Sequence, residues 1–337
     1  MTEMNCIIGA DGAVLHHLRR INHNNRKRVY FVGKMRKHLC LLKKQIGYHL
    51  LVWPALVFTI IFCYIPMGGL VIAFKDYKLR TGIWDSPWNG LDNFKNLFAD
   101  YYMPQIILNT VAVGVLSIVV SYPIVIGFAL LLNEIRSAAF KRIIQTVSYL
   151  PHFISWAIMA VILKALFSAT DGVISGLLCD LGITSGPLNI LTARDSYWGL
   201  VVFSSVWKEM GWSAILYLAV IAGIDETLYE AAKIDGAGRF ARMRYITMPQ
   251  LKGIIAITLI MSVSGIPNTG FDQAYYLSNN VNIESAKTLS YYVYTSGLQK
   301  GNFAYATAIG MVLSIVSATL MVAANFISRK LTGKGLY

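Results

Sequence analysis

Six apolar stretches constrain this chain more than anything else in it. Runs of about 20 mostly apolar residues suffice to cross the hydrocarbon core of a bilayer. Six segments qualify: Tyr48 to Phe74, Ile106 to Leu132, Ile143 to Phe167, Tyr197 to Ile224, Gly253 to Pro267 and Phe303 to Ile327. The fifth is the shortest. Backbone amides and carbonyls cannot stay unpaired in lipid, so all six read as helices and the fold class as all-α. A composition of 55% hydrophobic and only 14% charged residues agrees, as does a mean hydropathy of +0.53. Both exclude an ordinary soluble domain.

The net charge of +13 invites a nucleic-acid reading, which its distribution rejects. Lys and Arg number ten in residues 1–48, three in 133–142, five in 225–252 and three after Ile327, against four, one and two in 75–105, 168–196 and 268–302. Positive charge marks alternate faces, as the positive-inside rule requires. Both termini and the loop 225–252 are therefore expected in the cytoplasm. The chain divides into a basic arm (1–47), a six-helix membrane domain (48–327) and a short tail (328–337). The arm reads as a headgroup-facing segment, each cation contributing about 1 kcal/mol near anionic lipid. It lacks the apolar core and cleavage site of a signal peptide. Its histidines and the four cysteines fall in no metal-ligand or CxxC spacing.

Between the fourth and fifth apolar runs lies Tyr229 to Leu251, YEAAKIDGAGRFARMRYITMPQL. Tyr229 to Ile234 reads as one helical piece and Arg239 to Thr247 as another. Asp235-Gly236-Ala237-Gly238 supplies a bend, since glycine reaches backbone angles that other residues avoid. Pro249, which lacks an amide hydrogen, is expected to close the second piece. The product is a helix–turn–helix outside the membrane that carries Lys233, Arg239, Arg242 and Arg244, shaped to be gripped by another protein. Glu230, Ala231, Ala232, Asp235, Gly236, Ala237, Ile246 and Pro249 resemble, in order, the EAA loop of permease subunits of binding-protein-dependent ABC importers. Met243 departs from that pattern, which usually has phenylalanine there; both are large and apolar.

Within the spans, polar residues are few. Lys208 and Glu209 sit near the middle of the fourth, where charges tend to face a bundle interior or a water-filled cavity. Adjacent helical residues point about 100° apart, so the pair need not bridge each other. Trp207, Trp212 and Tyr217 could stack on sugar faces or pack within the bundle. His152 reads as a hydrogen-bonded histidine rather than a ligand. The fifth span ends in Gly265-Ile-Pro-Asn-Thr-Gly-Phe-Asp-Gln273, which argues for a broken helix. Irregular backbone at that depth lines a cavity or leaves the membrane. Asn268, Asp272 and Gln273 offer hydrogen-bond partners to a hydroxyl-rich cargo. Lys208, Glu209, Trp212, Tyr217, Asn268, Asp272 and Gln273 are the substrate-path candidates.

The resemblance extends over roughly residues 45 to 337. GIWDSPWNGLDNF, YLPHFISW, GWSAILYLA, GFDQAYYL and AYATAIGMVLS are similar to the carbohydrate branch of these permeases. They are closest to the subgroup associated with acidic polysaccharide fragments such as oligogalacturonide, rhamnogalacturonan or alginate. It implies a multi-pass subunit of a prokaryotic cytoplasmic (inner) membrane. It further implies a second homologous permease, two ATPase subunits that bind ATP and Mg, and an extracytoplasmic solute-binding protein that delivers an oligosaccharide. Tyr229, Glu230, Ala231, Ala232, Asp235, Gly236, Ala237, Met243 and Pro249 would then couple to the ATPases. No cofactor is expected in this chain: it has no GxxxxGK[ST] loop, HExxH or GxSxG. Gly236 to Ala241 mimics a GxGxxA fingerprint without a surrounding βαβ unit. A permease for amino acids or peptides is the alternative, and a multi-span membrane enzyme or a channel stands behind it.

Overall fold

The computed structural model describes residues 46–168, 172–183, 186, 190, 191, 194, 196–333 and 335. Residues 1–45 of the basic arm lie outside these. Every regular element among the described residues is a helix, apart from an isolated antiparallel bridge between Lys75 and Trp88. The chain divides into two compact units, Met1–Gly69 and Leu70–Tyr337.

The first unit contributes helix α1, Ile46–Thr59, with Pro54 inside it. A π turn, Ile60–Tyr64, follows and leads into Ile65–Met67, with Pro66 in its first turn. Proline clashes with the carbonyl of the preceding turn. A π turn placed just before Pro66 widens the backbone where the ring would strike it.

The second unit holds α2 (Asp92–Ala99), α3 (Met103–Asn133), α4 (Ala138–Tyr149), α5 (Trp156–Phe167) and α6 (Val173–Asp180). Then come α7 (Tyr197–Ala222) and α8 (Glu226–Ile234). The 30-residue α9 (Arg239–Asn268) follows, then α10 (Phe271–Leu277), α11 (Leu289–Tyr294) and α12 (Phe303–Thr332). Leu50–Phe74, Met103–Asn133, Arg239–Asn268 and Phe303–Lys330 are each long and apolar enough to cross a membrane. Two bent pairs, α4 with α5 and α7 with α8, bring the number to six if each is one span. In the core, α7 packs chiefly against α3, and α9 against α12.

One sequence expectation is sharpened and one is corrected. The third apolar run is not one straight span: α4 and α5 meet at 104°. Pro151 opens a 3-10 turn over Leu150–Phe153, and the Ser155 hydroxyl caps the next helix by accepting from Ile158 N at 3.3 Å. A serine cap after proline restarts the helix on a new axis. Pro249, likewise, does not end a helical piece. A π turn over Met243–Thr247 precedes it, the same arrangement as before Pro66, and α9 runs on through the proline. The helix that carries the fifth apolar run therefore begins at Arg239, inside the charged stretch.

At the N-terminal end of α3, Asp100 accepts hydrogen bonds from the Tyr292 and Tyr305 hydroxyls and from the Tyr102 amide at 2.9 Å. Partial burial pushes this carboxyl upward, but the donors and nearby Lys300 outweigh it and hold its pKa below the usual carboxylate value. Asn109 on α3 donates to the Glu284 and Lys287 carbonyls at 2.6 and 3.0 Å. These bonds fasten the irregular segment after α10 to the helix bundle.

Candidate functional site

Helices α3, α7 and α9 line a cavity of about 520 Å³. Its wall combines apolar side chains with hydroxyls, among them Ser121, Tyr122, Ser213, Tyr217, Thr258 and Ser262. Two hydroxyl pairs cross between helices: Tyr217 Oη to Thr258 Oγ1 at 3.1 Å and Tyr122 Oη to Ser262 Oγ at 2.9 Å. Four of these hydroxyls are thus partnered across the helix contacts.

One side of the wall is ionic. Lys208 is 6% exposed, and its ammonium donates to the His152 carbonyl at 2.8 Å and to Glu209 Oε1 at 2.9 Å. The other carboxylate oxygen, Oε2, lies 2.7 Å from His152 Nδ1. Although neighbours on a helix diverge, the long Lys208 stem reaches back to Glu209, and the two side chains do bridge. The carbonyl that Lys208 needs is freed by the turn at Pro151, which interrupts the helical ladder. The His152 ring stacks on Trp212, centroids 4.3 Å apart and 2° from parallel. Gly211 permits this approach, because a Cβ there would overlap the Ser148 carbonyl of α4.

Of the substrate-path candidates, Glu209, Trp212 and Tyr217 line this cavity, with Lys208 buried behind Glu209. Asn268 instead bonds Ser317 at 3.3 Å. Gln273 bonds Ser205 at 3.2 Å, and Ser205 is itself part of the wall. Asp272 lies in the first turn of α10. The stretch holding these three does break, through a 3-10 turn at Ile266–Asn268 and Gly270 at φ +76°. It lends the wall Gly265, Ile266 and Thr269 instead. Tyr122, Thr258 and Ser262 carry no signal in the sequence, since isolated hydroxyls in apolar runs form no pattern, whereas His152 is hydrogen-bonded as its reading implies.

The charged stretch builds a second site. Asp225 caps α8 by accepting from Thr227 N at 2.9 Å, so the helix starts three residues before Tyr229. It ends in a Schellman turn: Ala237 N donates to Ala232 O at 2.8 Å and Gly236 N to Lys233 O at 3.1 Å. That turn needs a left-handed residue, and Gly236 supplies it at φ +80°. Glu230, Ala231 and Asp235 are exposed and Ala232 half-buried, while Ile234 and Phe240 project apolar surface at 87% and 76% exposure. Met243 turns inward and packs against the cluster of Val125, Ala214 and Leu251. Tyr229 Oη meets Thr247 Oγ1 at 2.9 Å, tying α8 to α9. Arg239 Nε lies 3.9 Å from Glu134, at the end of α3. Pro249 sits at the surface of α9.

Residues 121–333 match the family described as binding-protein-dependent transport system inner membrane component. The chain is similar to Protein LplB of Bacillus subtilis (39% identical over 309 residues, 92% of this chain and 96% of LplB). It is also similar to the polygalacturonan/rhamnogalacturonan transport system permease protein YteP of the same organism (38% over 310 residues, 92% and 96%). Among solved structures it resembles a chain of the bacterial alginate ABC transporter in complex with alginate pentasaccharide-bound periplasmic protein. That likeness has a TM-score of 0.80 at 32% identity and covers 88% of this chain and 98% of that one.

Proposed function

Because this chain belongs to the family of binding-protein-dependent transport system inner membrane components, we propose that it is the membrane-spanning permease of an ATP-driven importer whose cargo is an acidic oligosaccharide. The observation that carries the reading is mechanical. The exposed helix α8 is tied to α9, and α9 runs unbroken from the charged loop to the cavity wall. The relatives named for polygalacturonan/rhamnogalacturonan and alginate transport support an acidic cargo.

In this reading the chain itself performs no hydrolysis. It pairs with a second homologous permease and with two ATPase subunits, which bind ATP and Mg on the cytoplasmic side, where both termini lie. A solute-binding protein delivers the cargo from outside. Glu230 faces a basic partner, and Ala231 and Ala232 allow close approach. Asp235 and Gly236 set the shape of the loop, while Pro249 lies within α9. As ATP draws the two ATPases together, α8 moves with them and pulls α9, so the cavity alternates between the two faces of the membrane.

The test is ATPase activity of the reconstituted complex, with its solute-binding protein, across a panel of oligosaccharides. Stimulation by uronate oligomers is expected. Stimulation by neutral sugars alone would move the cargo, and none by any sugar would favour an amino-acid or peptide permease. Ala231→Trp should leave hydrolysis running while transport fails; full transport by that variant would remove the coupling role. Uptake that continues without ATP would make the protein a channel.

A further inference from the structure

Glu209 is placed unlike an ordinary structural counter-ion. A buried ammonium needs an anionic partner, and Lys208 has one, but the two side chains sit in different surroundings. The Lys208 side chain is 7% exposed and that of Glu209 39%. The carboxylate is thus the part of the pair that faces the cavity. It is held as a guest anion would be held, one oxygen on the Lys208 ammonium at 2.9 Å and the other on His152 Nδ1 at 2.7 Å. Both distances are those of charge-assisted bonds. Trp212, one turn further along α7, also lines the cavity, its indole stacked on the His152 ring behind it.

We propose that Glu209 is an internal stand-in for a carboxylate of the cargo: a uronate group entering the cavity displaces it from Lys208 and His152, and the adjoining sugar ring lies on Trp212. The inference rests on the importer reading above. Exchange of one carboxylate for another keeps the buried ammonium compensated throughout. A neutral sugar brings no charge to the exchange and leaves Glu209 in place. The pair thereby selects for charge without presenting an open cationic pocket that any anion could fill.

The experiment uses the complete transporter in proteoliposomes with its solute-binding protein. Trigalacturonate is the probe and its methyl ester, the same chain without charge, the control. In Glu209→Gln the internal competitor is gone, and the half-saturating concentration for trigalacturonate should fall roughly tenfold. In the double variant Lys208→Met with Glu209→Gln the receiving cation is gone as well, and that concentration should rise by roughly the same factor. Ester transport should show no such reversal. A merely structural pair weakens transport in both variants, and shifts of the same sign would overturn the proposal. If Glu209→Gln fails to assemble because Lys208 has lost its partner, the double variant has no unpaired charge and still reads the outcome. Equal shifts for acid and ester in it would then overturn the exchange. A wild-type transporter that moves neither sugar overturns the cargo reading and the exchange with it. One that moves both, with variants that fail the test, removes the exchange alone.

Discussion

The cavity wall and the charged loop both carry ionisable residues, and they place them by opposite rules. On α7, Lys208 is buried and its partners are specified: one carbonyl and one carboxylate, whose other oxygen meets an imidazole. On α8, Glu230 and Lys233 stand in solvent. In a low-dielectric wall an uncompensated charge is severely destabilising, so geometry there must be fixed. A solvated loop pays little for its charges and can spend them on a partner. Tightness should therefore belong to the wall, while the loop needs only a defined shape and a firm attachment.

The largest expected effect breaks the wall. Gly211→Ala puts a methyl group into the Ser148 carbonyl, and backbone cannot yield as a side chain does. A loss of about 3 kcal/mol, the upper range for overpacking, should lower the unfolding midpoint and disturb the Lys208 site one turn away. The corresponding change in the loop is smaller. Gly236→Ala forces an L-residue to φ +80°, which costs about 1–2 kcal/mol. Because α8 is exposed, that strain should fray the helix end and lower transport per ATP hydrolysed, with little change in the unfolding midpoint. If Gly236→Ala unfolds the protein more readily than Gly211→Ala, the contrast between the two regions is wrong.

The same contrast governs what could be read in the sequence. The loop was legible because its determinants are local: Gly236 marks the bend, and its Schellman bonds span a few residues. Its start lies ahead of Tyr229 because Asp225 caps it, and an acidic side chain there is indistinguishable in sequence from an ordinary surface charge. The wall was only half legible. Lys208 and Glu209 stood out as charges in an apolar run, but their partner His152 lies 57 residues from Glu209, and Tyr122 lies 140 from Ser262. No periodicity encodes such pairs. The start of α9 was hidden for a different reason. Arg239, Arg242, Arg244 and Pro249 resemble loop chemistry, and only the π turn at Met243–Thr247 lets a helix pass through them.

That continuity supplies the smallest and most discriminating prediction. Tyr229 and Thr247 connect the exposed helix α8 to α9 by a hydroxyl pair, and Thr247 is 2% exposed. Tyr229→Phe removes one hydrogen bond and leaves a buried hydroxyl unpaired, a loss of about 1 kcal/mol or slightly more. Adding Thr247→Val removes the orphaned partner as well, and most of that stability should return. Coupling should behave differently. If the pair transmits motion from α8 to α9, the double variant will regain its unfolding midpoint while transport per ATP stays reduced. If transport recovers together with stability, the bond only holds the fold, and the loop moves α9 through the chain connection at Gly238 instead.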